Sequence, residues 1–169
     1  LGHDRLYENK GGGKFEDVTA RAGIVADSWT SSTGFFDYDR DGHLDILVVQ
    51  YVTSIDKRCT DLAGRHIYCG PLSFRPVSDI IYHNNGDGTF TDVSEQFGLN
   101  EVKCAGLGVA LADFNGDGFD DIYIANDAYE NHLWINQAGE GFLEQGVLLG
   151  AAYNFHGRAE AGMGVIAED

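Results

Sequence analysis

Two nine-residue stretches carry side-chain oxygens at a spacing that suits metal chemistry. One reads Asp37-Tyr38-Asp39-Arg40-Asp41-Gly42-His43-Leu44-Asp45, the other Asp113-Phe114-Asn115-Gly116-Asp117-Gly118-Phe119-Asp120-Asp121. In each, oxygens fall at positions 1, 3, 5 and 9, and glycine at position 6. A hard divalent cation, above all Ca²⁺, takes six to eight oxygen ligands from such a set. Gly42 and Gly118 permit the sharp turn that brings the carbonyl of position 7, His43 or Phe119, inward. An EF-hand would need a bidentate Glu at position 12 and an exiting helix. Position 12 is instead Val48 or Ile124, inside the short apolar runs Ile46-Leu47-Val48-Val49 and Ile122-Tyr123-Ile124-Ala125. These read as buried strands, so each loop joins strand to strand. The alternative is a polar turn that binds nothing; two copies with four oxygens each favour metal.

A second motif occurs three times. Asn9-Lys10-Gly11-Gly12-Gly13-Lys14-Phe15, Asn84-Asn85-Gly86-Asp87-Gly88-Thr89-Phe90 and a degenerate Asn136-Gln137-Ala138-Gly139-Glu140-Gly141-Phe142 each follow a strand-like run. Asn/Gly clusters in that setting are hairpin turns. The two motifs alternate with a period of about 75 residues. Short strands repeating in this way predict an all-β fold built of propeller blades, each a sheet of four antiparallel strands. The first blade, 31–99, takes strands near 33–36, 46–52, 80–84 and 89–93, with an insertion at 53–79. The second, 105–151, takes strands near 108–112, 122–125, 132–135 and 142–145. Residues 1–24 read as the end of a preceding blade. Residues 160–169 read as the start of a further one, with Asp169 as the first residue of a third metal loop. The chain opens at Leu1 without Met and reads as an incomplete propeller, part of something longer.

The 169 residues are enough for one domain with a core, and 43% hydrophobic content places the chain among globular proteins. A formal net charge of −16 argues against nucleic acid and anionic membrane as partners, since both need basic patches. No apolar run is long enough for membrane insertion as a helix. Cys59 and Cys69 bracket a short loop in the polar insertion and read as a disulfide rather than two free thiols, which implies an extracellular, cell-surface or periplasmic setting. Closing so short a loop contributes roughly 2–3 kcal/mol in the chain-entropy model. Cys104 is left over, as a buried thiol or with a partner elsewhere.

Together these loops and hairpins resemble FG-GAP/VCBS repeats, the calcium-binding blades of integrin α-subunits and many secreted bacterial proteins. Tyr68-Cys69-Gly70-Pro71 before the second hairpin, and Ala125-Asn126-Asp127 before Asn131-His132-Leu133-Trp134-Ile135-Asn136, narrow the resemblance to bacterial proteins of the ASPIC/UnbV type, which are similar to cartilage acidic protein. The resemblance implies two Ca²⁺ sites. One would use Asp37, Asp39, Asp41, Asp45 and the His43 carbonyl; the other Asp113, Asn115, Asp117, Asp121 and the Phe119 carbonyl.

In an up-and-down blade the metal loops lie at one end, and the long insertion projects from the other. It carries Arg65, His66, Tyr68, Phe74 and Arg75, and with Asp127 these form the candidate binding face. The alternative is that the insertion only packs over a neighbouring blade or subunit. There is no Ser/His/Asp elbow, zinc signature or phosphate loop, so the sequence gives no catalytic residues. His83 and His132 fall in the third strand of their blades, where packing explains them, and Asp127 reads as a turn cap. The expected role is a calcium-binding extracellular module for protein or glycan interaction or self-association. A calcium-dependent polysaccharide lyase or dehydratase and a plain scaffold are the competing readings.

Overall fold

The computed structural model describes residues 3–25 and 27–168. The described chain opens with a hairpin of β1 (Tyr7–Asn9) and β2 (Phe15–Asp17) and a single helical turn, α1 (Thr19–Ala22), closed by Gly23 at φ 77°. The first four-stranded sheet begins with β3 (Thr30–Phe36) and β4 (Asp45–Gln50). The insertion follows and forms its own small hairpin, β5 (Cys59–Thr60) and β6 (His66–Ile67). The sheet is completed by β7 (Ile80–Asn84) and β8 (Phe90–Asp92). The second sheet runs β9 (Gly106–Ala112), β10 (Asp121–Asn126), β11 (His132–Asn136) and β12 (Phe142–Glu144). Both sheets are antiparallel meanders in sequence order, apart from the small hairpin inserted between β4 and β7. This is the expected blade arrangement.

Strand ends depart from the sequence reading in three places. β3 and β9 begin earlier than expected, because bulges at Thr30/Ser32 and Ala125/Asn126 extend the pairing. β4 stops at Gln50. Beyond it the Tyr51 N–H turns to the Trp29 carbonyl at 2.8 Å, and the Val52 carbonyl accepts the Trp29 N–H at 3.2 Å while Val52 forms an isolated bridge to Pro76. The β5–β6 hairpin was read as loop, because two-residue strands carry no periodicity.

The unbroken apolar run of β4 has a simple cause. Leu47 and Val49 point into a core shared with Ile81, Ile122, Ile124 and Trp134 between the blades. Ile46 and Val48, on the other face, pack with Tyr82, Val18, Ala22 and Ile24 against the N-terminal hairpin. Strands buried on both faces need no polar alternation. The blades approach closely where side chains are missing. A Cβ on Gly34 would lie 2.5 Å from Leu111 Cδ1, and one on Gly106 would collide with Val49 and approach the Gln50 carbonyl at 3.3 Å. The Ser31 hydroxyl donates to the Gly106 carbonyl at 2.7 Å across the same seam. Residues 161–168 form no strand but lie along the second blade, with the Gly162 N–H donating to the Asn126 carbonyl at 3.0 Å. Asp169 lies outside the described residues.

Candidate functional site

The two acidic loops join β3 to β4 and β9 to β10 at the same end of their blades, and they share one hydrogen-bond plan. The position 1 carboxylate accepts main-chain N–H groups from positions 5 and 6: Asp37 from Asp41 (3.1 Å) and Gly42 (3.0 Å), Asp113 from Asp117 (3.1 Å) and Gly118 (2.7 Å), with the Gly116 N–H as a third donor to Asp113 at 2.7 Å. Position 3 accepts the N–H of position 5, at 3.2 Å for Asp39 and 2.8 Å for Asn115. Position 5 accepts the N–H of position 7: His43 donates to Asp41 at 2.7 Å and Phe119 to Asp117 at 2.8 Å. Gly42 and Gly118 sit at φ 89° and 93°, the left-handed turn expected of position 6.

Position 9 anchors the loop to its sheet. Asp45 and Asp121 are fully buried. One oxygen of each accepts the N–H of position 2, Tyr38 or Phe114, and the other accepts a main-chain N–H from the third strand, Asn84 or Asn136, both at 2.8 Å. Burial pushes both carboxyl pKa values up, with those backbone donors pulling the other way. The acidic atoms of Asp37, Asp39 and Asp45 lie within 4.8 Å of one another, as do those of Asp39 and Asp41 with an imidazole nitrogen of His83. An all-oxygen cluster around a desolvated carboxylate fits a hard cation: like charges so close repel unless one is supplied. The second loop carries the amide Asn115 at position 3 and gathers no such trio of carboxylates among the described residues.

His83 is a residue that sequence reasoning assigned to packing. Its Nδ1 is 3.3 Å from Asp45, 3.5 Å from Asp39 and 3.3 Å from the Tyr38 hydroxyl. It stands one residue before the repeat Asn84, where the second blade has Ile135. The available signal was this repeat position, which lies beside the loop once β7 pairs with β4. His43 turns away, its ring against Gly86 of the following hairpin, where a Cβ would be 2.8 Å from Nε2. His132 is buried, 3.4 Å from the Cys104 thiol, with its pKa lowered by burial. Cys104 is thus the buried free thiol, raised by desolvation to about 12.

The two loops also touch. The Arg40 guanidinium lies 4.5 Å from the Phe119 ring centroid. The Asn136 amide donates to the Tyr38 carbonyl at 2.9 Å.

At the opposite end of the blades, the Cys59–Cys69 disulfide closes the insertion. Beneath it is an open cavity of about 500 Å³, walled by Trp29, Tyr51, His66, Tyr68 and Phe74. Trp29 and Tyr51 meet edge to face at 5.4 Å. Of the candidate face, His66, Tyr68 and Phe74 line this cavity. Arg65 does not: it pairs with Asp61 at 2.7 Å on the outside of the hairpin. Arg75 belongs to a neighbouring depression with Lys103. Asp127 accepts the Tyr51 hydroxyl at 2.8 Å across the blades rather than capping its own turn. Trp29, Tyr51, Lys57 and Arg58 were missed. Trp29 and Tyr51 flank the outer ends of β3 and β4, so blade polarity was the signal that could have placed them.

Comparison with known proteins agrees with this architecture. A family model described as FG-GAP-like repeat matches residues 2–48 and 72–124, on either side of most of the insertion. Cartilage acidic protein 1 of Mus musculus is 36% identical over 89 residues, 47% of this chain and 14% of that protein. The Homo sapiens protein is 36% identical over 88 residues, 46% and 13% respectively, and that of Xenopus tropicalis 42% over 88 residues, 46% and 14%. The matched part is thus a small fraction of the length of these curated relatives.

Proposed function

The chain belongs to the FG-GAP-like repeat family, and from that premise we propose that it is an extracellular propeller segment braced by two calcium ions, with its ligand-binding face at the insertion end. The observation that carries the reading is the convergence of Asp37, Asp39 and Asp45 within 4.8 Å around a fully buried carboxylate. The repetition of the same hydrogen-bond plan in the second loop supports it. Asp37, Asp39, Asp41 and Asp45 would hold one ion, with the His43 carbonyl; Asp113, Asn115, Asp117 and Asp121 the other, with the Phe119 carbonyl. Bound calcium supplies charge neutralisation for the converging acids. The chain's own residues do the rest: Asp45 and Asp121 tie each loop to the third strand of its blade, and His83 orients Asp39 and Asp45.

The disulfide supports an oxidising, extracellular location. Among the described residues no helix is long and apolar enough to cross a membrane. With the metals at one end, the cavity under the insertion is left as the ligand face. The same cavity favours a second reading, part of a polysaccharide-active enzyme, because it gathers His66, Tyr51 and Tyr68 with two cations. Turnover of a polymer, rather than binding alone, separates the two.

The test is a calorimetric calcium titration of chelator-stripped protein with thermal melts alongside. Two sites and a higher Tm in calcium are expected. Asp39→Ala removes the first site and Asp117→Ala the second, each leaving the other. Identical melting in saturating calcium and in chelator, with no heat of binding, overturns the reading.

A further inference from the structure

We propose that the cavity beneath the insertion binds a saccharide unit bearing a carboxylate, a uronic acid at a chain end or in a short oligomer. The inference rests on the insertion end being the ligand face. Its volume of about 500 Å³ is in the range of small-ligand sites. Its chemistry is unlike that of the rest of the molecule. The chain has 27 acidic residues against 11 Lys and Arg, yet no Asp or Glu lines this cavity among the described residues, while Lys57 and Arg58 both do.

Those two cations are also uncommitted. Arg5, Lys10, Arg21 and Arg65 each pair with a carboxylate, whereas among the described residues neither Lys57 nor Arg58 does. Lys57 reaches only the Ser73 carbonyl, at 3.3 Å. A guanidinium free to form a charge-assisted fork, in a pocket that holds no competing acid, selects a carboxylate.

The walls determine what that carboxylate is attached to. Trp29, Tyr51 and Phe74 offer rigid aromatic surface, which suits the apolar C–H face of a pyranose ring. His66 and the Tyr68 hydroxyl offer polar edges for the ring hydroxyls. The insertion is fixed by its disulfide, so the walls are organised before the ligand arrives. Net charge limits the ligand's length. At −16 the protein as a whole repels a long polyanion, and only the short-range field of the cavity, within a Debye length of about 8 Å, attracts one.

The experiment is calorimetry with intrinsic fluorescence on the calcium-loaded chain. The ligands are glucuronate, galacturonate and their short oligomers, the neutral hexose counterparts, and benzoate. The Trp29 ring lines the cavity whereas Trp134 is buried between the blades, so quenching on binding reports the cavity. The uronates should bind at least about tenfold more tightly than the neutral sugars. The exposed-site variants Arg58→Gln and Lys57→Gln should each weaken them by about tenfold or more, and Arg158→Gln, outside the cavity, should leave them unchanged. Equal binding of neutral sugars, or binding of benzoate alone, overturns the uronate assignment and leaves the face intact. If no ligand perturbs Trp29 while two calcium sites titrate and the disulfide is intact, both the assignment and the face fall.

Discussion

Asp79 and Asn131 hold the same place in successive blades, and only one of them can ionise. Asp79 accepts the Gln50 N–H at 2.8 Å; Asn131 accepts the Asn126 N–H at 2.9 Å. Each stitches the end of the second strand to the start of the third. Burial pushes the Asp79 carboxyl up to about 7, because one backbone donor does not offset the lost hydration. A folded-state pKa above the ordinary value of about 3.9 means that the folded protein holds the proton more tightly. The stabilisation is therefore complete below about pH 4 and is lost as pH rises through about 7. Asp79→Asn copies the second blade. It should raise stability near pH 8 by about 1–3 kcal/mol, discounted for partial exposure, and change little near pH 4. Thermal melts of the two proteins across that range check this; parallel curves would refute it. Nothing in the sequence marked Asp79, since its burial follows from how the insertion returns to β7. The acidic loops were legible because their oxygen side chains fall within nine residues of sequence. His83 was not, because its approach to Asp39 and Asp45 depends on cross-strand register.

The blades were legible as elements because turn chemistry repeats. All three hairpins close alike, with the residue after the leading Asn donating its N–H to the residue before the closing Phe: Lys10 to Lys14 at 2.9 Å, Asn85 to Thr89 at 3.0 Å, Gln137 to Gly141 at 2.8 Å. The third keeps this turn although its sequence has degenerated. Ala138 takes φ 55° where its counterparts are Gly11 and Gly86. A left-handed Ala costs about 1–2 kcal/mol, and glycine's extra freedom when unfolded returns part of any gain, so Ala138→Gly should stabilise by about 0.5–1 kcal/mol. A chemical denaturation midpoint that falls instead would show the turn to be held by other contacts. The opposite change tests the seam between blades. At Gly106 a methyl meets Val49, the Gln50 carbonyl and Ile124 at once, and Val49 is β-branched and cannot swing aside. Gly106→Ala should cost about 1–3 kcal/mol of stability. A neutral effect would mean that the blades separate more easily than the packed core implies. The insertion hairpin stayed invisible in the sequence: its strands are two residues long, and the disulfide, rather than an apolar pattern, organises it.

Across the whole molecule, the acidic charge and the proposed calcium ions would act on the same free energy. The net charge of −16 repels itself in the folded state, and part of that repulsion is concentrated at one end of the blades, where the two acidic loops meet through Arg40 and Phe119. Two divalent cations there would remove four units of charge where the acids are closest. Monovalent salt acts more diffusely, by screening. Raising salt from about 0.01 M to about 0.1 M shortens the Debye length from about 30 Å to about 10 Å and should stabilise the calcium-free protein. In saturating calcium the same change of salt should raise Tm clearly less, because the nearest and strongest repulsions are already neutralised. Melting curves at the two ionic strengths, with calcium and with chelator, make the comparison. Equal salt effects in both would place the destabilising repulsion elsewhere on the acidic surface, and the loops would then not be the sites where charge limits the fold.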